Sequence, residues 1–217
     1  MKIFLDTADT KLLHDGFLTG LIDGVTTNPS LIRKSGRDPE DVYRELRDIG
    51  YNDISMEVVG DGPEMVVEGR RLAKIFGKCA TIKVPCTPDG LFACRELTRE
   101  LIKVNVTLIF SQVQAILAAK AGAAYVSPFV GRVEDNSFDG PKLIQEIVNL
   151  YREHMIRTEV LAASLRDAHS VAKCYEYGAD IVTMPPAVFE KMYNHILTDK
   201  GLELFQKDYE AVVGRSA

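Results

Sequence analysis

In the stretch Ala80-Thr81-Ile82-Lys83-Val84-Pro85 a single cation stands among apolar residues, on a run that reads as a β-strand. A lysine amine attacks a carbonyl only as the free base, and at a reference pKa of about 10.4 roughly 0.04% is neutral at pH 7. Desolvation lowers that pKa toward the useful range of about 7 to 8, whereas carboxylates nearby raise it, so the surroundings of Lys83 decide its reactivity. A lone strand lysine also reads as a snorkelling or paired side chain. Asp6 and Glu57, on two other predicted strands, change that balance. Imine chemistry needs a base for a substrate hydroxyl and a second group, acting through a water, to dehydrate the carbinolamine, and two acids at different depths divide those tasks. For each acid a structural salt bridge, with Lys83 or with an arginine, is the alternative.

Two arginines point to the charge of the substrate. Gly131-Arg132 and Leu165-Arg166 each follow a predicted strand, which puts both guanidiniums at matching strand ends. Each alone reads as a surface residue. As a pair they are suited to bidentate capture of phosphate, so they favour an anionic substrate. Asn105-Val106-Thr107 fits a glycosylation pattern, but both polar residues are expected to point inward, which removes that reading. The stretch Glu134 to Asp139 is expected to be a solvated loop without chemistry. No P-loop, GxGxxG or GxSxG element is present, so nucleotide binding and serine hydrolysis have no support.

Positioning these groups requires a scaffold. Eight short runs rich in apolar and β-branched residues predict strands over 3–6, 24–28, 54–59, 81–84, 104–110, 124–129, 159–164 and 180–184. Amphipathic stretches alternate with them; one opens with Thr87-Pro88, an N-cap followed by proline at the first helical position. Gly77, Gly122 and Gly178 are placed to end helices in the left-handed conformation. Every second strand ends near a proline (Pro29, Pro85, Pro128, Pro185), where ladder bonding stops. This quasi-repeat predicts one α/β domain over 1–217, a (β/α)8 TIM barrel, in preference to an open doubly wound sheet.

Alternation along the strands then selects an inner face. It carries Phe4 and Asp6; Gly24, Thr26 and Asn28; Ser55, Glu57 and Val59; Thr81 and Lys83; Asn105 and Thr107; Ser127 and Phe129; and Ala162 and Ser164. The opposite parity, including Ile82, Val84, Val104, Val106, Leu108, Val126, Leu161 and Ala163, is expected to face the helices.

Composition sets outer limits. The 217 residues are 46% hydrophobic and 26% charged, which excludes disordered and collagen-like classes. With 26 Lys and Arg against 31 Asp and Glu, the net charge is −5 and no basic block occurs, so nucleic-acid binding is not expected. Cys79, Cys86, Cys94 and Cys174 have no CxxC spacing and read as buried thiols in a reducing cytosol. The four histidines show no metal-ligand spacing, so no metal is expected. No run is apolar enough to span a membrane, and Asp6 falls where a signal peptide would be apolar; the expectation is a cytoplasmic, unprocessed protein.

Six stretches together carry a family resemblance: Phe4 to Ala8, Asp23 to Ile32, Ile82 to Pro85, Asn105 to Ser111, Tyr125 to Arg132 and Leu161 to Ser164. In order and over nearly the whole chain, the sequence resembles the short-chain transaldolases, a subfamily that also contains the fructose-6-phosphate aldolases. The resemblance implies that Lys83 is the Schiff-base lysine, that Asp6 is the base for the C4 hydroxyl, and that Glu57 and Thr107 hold a proton-relaying water. It implies that Asn28 and Asn105 bind the dihydroxyacetone unit, with Thr26, Ser127 and Phe129 nearby, and that Arg132, Ser164 and Arg166 take the phosphate. The reaction so implied moves dihydroxyacetone from sedoheptulose 7-phosphate or fructose 6-phosphate to an aldose phosphate, with no metal or organic cofactor.

The family's aldolases, which release free dihydroxyacetone, carry glutamine at the position of Glu57 and tyrosine at that of Phe129, and lack the asparagine of Asn105. This chain matches the transaldolase type at all three. It departs from the common pattern at Leu165, often phenylalanine, and at the second proline of Met184-Pro185-Pro186. The C-terminal stretch, with Leu202, Leu204, Phe205, Tyr209 and Val212, is too apolar for a free tail, and packing on its own barrel is the default expectation. The resemblance implies instead that a helix over 199–213 reaches a neighbour in a homo-oligomer, a ring of five or two such rings.

Overall fold

The computed structural model describes residues 1–213. The strands are β1 (Lys2–Asp6), β2 (Gly24–Thr26), β3 (Ile54–Glu57), β4 (Ala80–Pro85), β5 (Val104–Ile109), β6 (Tyr125–Pro128), β7 (Glu159–Ala162) and β8 (Ile181–Met184). All neighbouring pairs are parallel, and β8 returns to β1, which closes the barrel. The helices are α1 (Thr10–Leu18), α2 (Pro29–Ser35), α3 (Pro39–Ile49), α4 (Gly62–Phe76), α5 (Pro88–Arg99), α6 (Gln112–Lys120), α7 (Val130–Asp135), α8 (Gly140–Glu153), α9 (Ala168–Glu176), α10 (Pro186–Lys191) and α11 (Ile196–Val213). The expected (β/α)8 fold is what forms.

Local chemistry starts the helices where the sequence permits. Thr87 caps α5 by accepting from the Gly90 amide, and Asp61 with Glu64 makes a reciprocal capping box on α4. Gly77, Gly122 and Gly178 all adopt positive φ at the helix-to-strand junctions. The main core lies between strands and helices, where Val25, Ile54, Ile82, Val84, Val104, Val106 and Val126 are wholly buried.

A second, smaller core fills the barrel itself: Phe4, Tyr125, Leu161, Ala163 and Ile181. Gly24 makes room for it, since a Cβ there would lie 2.6 Å from the Phe4 ring and 2.8 Å from the Asp53 carbonyl. Beneath this layer the amino end is sealed by polar groups converging on Asp53. Its carboxylate accepts from the Thr81 hydroxyl at 2.7 Å, the Tyr125 phenol at 2.5 Å and the Lys103 ammonium at 2.9 Å. Burial first, and then the Asp53 charge, pushes the Tyr125 phenol upward, so it stays protonated as a donor. Asp53→Ala strands these donors at once, although Lys103 is partly exposed and keeps some water. The expected loss is about 2–3 kcal/mol, read as a lower urea midpoint with unchanged slope.

Five expectations are corrected by the structure. At β7 it is Leu161, and Ala163 just beyond the strand's end, that face the barrel interior, while Ala162 joins the outer core. Leu108, expected on the outer face, adopts φ +59° at a register shift between β5 and β6, and its side chain reaches the cavity wall. β3 ends at Glu57, so Val59 is exposed rather than inward. Glu134 and Asp135 are not loop residues; they complete α7. Finally, α11 begins at Ile196 and buries none of its described residues, so it does not pack on its own barrel.

Candidate active site

The side chains singled out in the sequence converge at the carboxyl ends of the strands, the face on which this fold builds its active sites. Lys83 enters from β4. Its neighbours Ile82 and Val84 point outward and are wholly buried, so alternation leaves Lys83 no direction but inward. Its side chain is 7% exposed. The ammonium donates to the Thr27 carbonyl at 2.9 Å and pairs with Glu57 Oε2 at 3.0 Å. Glu57 and Lys83 are register partners on adjacent strands, and Lys83 is in turn the partner of Asn105 on β5.

Asp6 stands at the end of β1, in register with Thr26. The Thr26 hydroxyl donates to Asp6 Oδ1 at 2.7 Å and lies 2.7 Å from the Thr183 hydroxyl, which therefore donates to Thr26. The Asp6 carboxyl is held above the ordinary carboxylate range. Burial is the main cause, and the Thr26 bond and the Lys83 charge offset only part of it. A carboxylate so placed is a better proton acceptor than one in water.

Below these groups Asn105 is fully buried, donating to the Ser55 hydroxyl at 3.2 Å and accepting from Ser127 at 2.6 Å. Asn28 lends its Oδ1 to the Leu31 amide as the cap of α2, which leaves its Nδ2 as the donor available to a ligand. The Thr107 hydroxyl is buried with no hydrogen-bond partner among the described residues. Such a group costs roughly 1–3 kcal/mol, a cost expected where a polar atom serves a bound molecule.

The space between these residues has two connected parts. An inner cavity of about 130 Å³ is lined by Asp6, Thr26, Asn28, Lys83, Thr107, Ser127, Phe129, Arg132, Ser164 and Thr183. An outer cavity of about 560 Å³ shares Asn28, Lys83, Thr107, Phe129 and Arg132 and adds Glu57, Leu108, Arg33 and Lys34.

Of the three expected phosphate ligands, two face the cavity. Arg132 lies with its guanidinium 4.9 Å from the Phe129 ring centroid, a cation–π contact. Ser164 adopts φ +60°, which ends the alternation of β7 and turns it toward the cavity together with Ala163. Gly131 permits this approach, because a Cβ there would lie 2.4 Å from the Ser164 carbonyl and 2.8 Å from Arg166 Nε. Arg166 is engaged elsewhere: its two terminal nitrogens grip both oxygens of Asp135, Nη2 to Oδ2 at 2.5 Å, and hold that carboxyl below its usual range.

The sequence reading missed Thr183 and Asp135. Thr183 is the one polar residue in Ile181–Met184, so the parity rule applied to β8 would have found it. No local signal marks Asp135. Among the described residues no three His, Cys, Asp or Glu side chains converge to hold a metal, and no helix is long and apolar enough to cross a membrane.

Comparison with known proteins places this arrangement. Residues 3–215 match the family model described as Transaldolase/Fructose-6-phosphate aldolase. The chain is 53% identical over 217 residues to a probable transaldolase of Caulobacter vibrioides, covering 100% of this chain and 99% of that relative. It is 51% identical over 210 residues to a probable transaldolase of Cereibacter sphaeroides (96% and 95% covered) and 50% identical over 214 residues to one of Nitrosopumilus maritimus (98% and 96%). The chain belongs to the transaldolase/fructose-6-phosphate aldolase family.

Proposed function

We propose that this protein is a transaldolase that moves a dihydroxyacetone unit from sedoheptulose 7-phosphate or fructose 6-phosphate to glyceraldehyde 3-phosphate or erythrose 4-phosphate, a step of the non-oxidative pentose phosphate pathway. The observation that carries this reading is the nearly buried Lys83 paired with Glu57, with the raised Asp6 carboxyl on the same inner wall. Lys83 passes its ammonium proton to Glu57 and, as the free amine, adds to the C2 carbonyl of the ketose. A water held by Glu57 and Thr107 delivers the proton with which the carbinolamine oxygen leaves as water. Asp6 then takes the C4 hydroxyl proton, the C3–C4 bond breaks, and its electron pair passes into the iminium to give an enamine. The aldose phosphate departs. The acceptor aldehyde is attacked by C3, Asp6 returns the proton to the new hydroxyl, and hydrolysis frees Lys83.

Asn28 and Ser127 hold the three-carbon unit, with Asn105, which the resemblance assigned to it, lying behind the cavity wall and orienting Ser127, and Arg132 and Ser164 hold the phosphate. Arg166 joins them by exchanging the Asp135 carboxylate for the phosphate, a like-for-like swap of bidentate anions. The second reading is an aldolase that releases free dihydroxyacetone. Phe129 favours transfer, because a benzyl side chain beside the enamine offers no proton to discharge it, and the intermediate waits for an aldehyde. Phe129→Tyr is expected to raise release of free dihydroxyacetone from fructose 6-phosphate severalfold; an unchanged leak would count against this account.

The deciding assay incubates the protein with fructose 6-phosphate, with and without erythrose 4-phosphate, and measures glyceraldehyde 3-phosphate, sedoheptulose 7-phosphate and dihydroxyacetone separately. Sustained turnover only with acceptor supports the transaldolase. Equal turnover without it, with dihydroxyacetone accumulating, makes the protein an aldolase. The exposed apolar side chains of α11, among them Leu202, Phe205 and Tyr209, support association of copies of this chain; that the assembly is a pentamer or decamer and the enzyme cytoplasmic is part of the same proposal.

A further inference from the structure

The outer cavity carries more positive charge than one phosphate explains. Arg33, Lys34, Lys83 and Arg132 line it against a single carboxylate, Glu57, in a chain whose net charge is −5. Glu57 is already paired with Lys83. Arg33 and Lys34 make no ion pair among the described residues, although Arg33 also borders a neighbouring cavity that holds Asp38, Glu40 and Glu68; the next cation along the chain, Arg37, is held by Glu45 at 2.6 Å and Thr10 at 3.0 Å.

Their placement follows from α2. The helix buries Ile32 against the core, and the helical spacing of Ser30, Arg33 and Lys34 puts those three on the cavity side. Asn28 caps the first turn, and Gly36, in the left-handed conformation, ends the helix, so its position is set at both ends. α2 follows β2 and Arg132 follows β6. In a closed barrel of eight strands these lie four strands apart, on opposite sides of the mouth. One phosphate at Arg132 and Ser164 therefore leaves Arg33 and Lys34 without an anionic partner on the side that faces this cavity.

We propose that Arg33 and Lys34 form a second anion subsite, which takes the phosphate of the incoming aldose phosphate while the three-carbon unit is still attached to Lys83. This rests on the transfer reading above. In a transfer, one aldose phosphate leaves and another enters over the same intermediate. With a single anion site the newcomer waits for complete departure; with a second, it docks in the outer cavity and moves across to Arg132. Paired cations on a cavity wall also raise the rate of encounter with a dianion.

Two measurements test this. Inorganic phosphate is titrated calorimetrically into wild type, R33A/K34A and R132A. Two sites are expected in wild type, with one lost in R33A/K34A and the other in R132A. A single site in wild type, or two sites that survive in R33A/K34A, overturns the proposal. Kinetically, R33A/K34A is expected to raise KM for erythrose 4-phosphate about five- to tenfold more than KM for unphosphorylated erythrose, with R33K restoring most of the difference. Equal changes for both aldehydes overturn the acceptor role. If the protein proves to be an aldolase without transfer, the acceptor role falls, but the two-site phosphate titration still decides whether the anion subsite exists.

Discussion

Lys83→Ala is expected to lower turnover of fructose 6-phosphate by at least about 10⁴-fold, the scale seen when a covalent nucleophile is removed. With sodium borohydride present, wild type should gain the mass of a reduced sugar adduct and the variant none. Removing the amine also leaves the Glu57 carboxylate and the Thr27 carbonyl without their partner, so some stability is lost as well. Lys83→Arg separates the two effects. It keeps a positive charge beside Glu57, yet a guanidinium does not deprotonate and cannot form the imine. A folded, inactive, adduct-free Lys83→Arg protein assigns the loss to chemistry. A sugar adduct surviving in either variant would refute Lys83 as the nucleophile.

Asp6→Asn is expected to cost about 10²- to 10⁴-fold in turnover, the usual contribution of a general base. Borohydride capture of fructose 6-phosphate should persist, because imine formation draws on Lys83, Glu57 and Thr107 and precedes carbon–carbon cleavage. The same substitution is expected to stabilise the protein at pH 7. Burial raises the folded-state pKa of Asp6 above its ordinary 3.8, so between those two values the folded chain binds more protons than the unfolded one. Stability from this group is then greatest below the unfolded pKa and declines as pH rises through the folded pKa. As pH rises above the unfolded value the raised Asp6 carboxyl opposes folding, and asparagine removes that cost; at pH 3, below the unfolded value, Asp6 is largely protonated in both states and most of the gain disappears. Urea midpoints at the two pH values measure this directly, and a gain independent of pH would overturn the electrostatic explanation. In wild type the acid limb of the rate profile should fall as pH drops through the raised Asp6 value. Activity and stability thus oppose each other at this one residue.

The contrast between Asp6 and Asp53 shows where strain is tolerated. Both are acids at the ends of barrel strands. Asp53 has three side-chain donors and seals the amino end, whereas Asp6 has only Thr26 and faces the cavity. The carboxyl end is left under-satisfied, as the unpartnered Thr107 hydroxyl also shows. Those are the atoms that the proposed reaction uses.

Much of this was legible along the chain because alternation and helical spacing are local properties. Eight runs of strand-forming residues, left-handed glycines at the junctions and prolines at strand ends sufficed for the barrel, and polar residues on one parity marked Asp6, Thr26, Glu57, Lys83, Asn105, Thr107 and Ser127 as inward-facing. The family signature lies in the same residues. In the run 159–164, Ser164 marked the parity of Ala162 as inward, but Ser164 reaches the cavity only through its left-handed backbone, so alternation chose the wrong face and Leu161 and Ala163 point in. Leu108 and Ser164 reach the cavity through left-handed backbone that ends the alternation the reading relied on. The Arg166–Asp135 pair and the facing of Arg33 and Lys34 toward Arg132 join groups brought together only when the ring of strands closes. Local spacing determines which way a side chain points; which partner it meets, at what distance and with how much charge uncompensated, depends on contacts between distant segments and was decided by the tertiary structure.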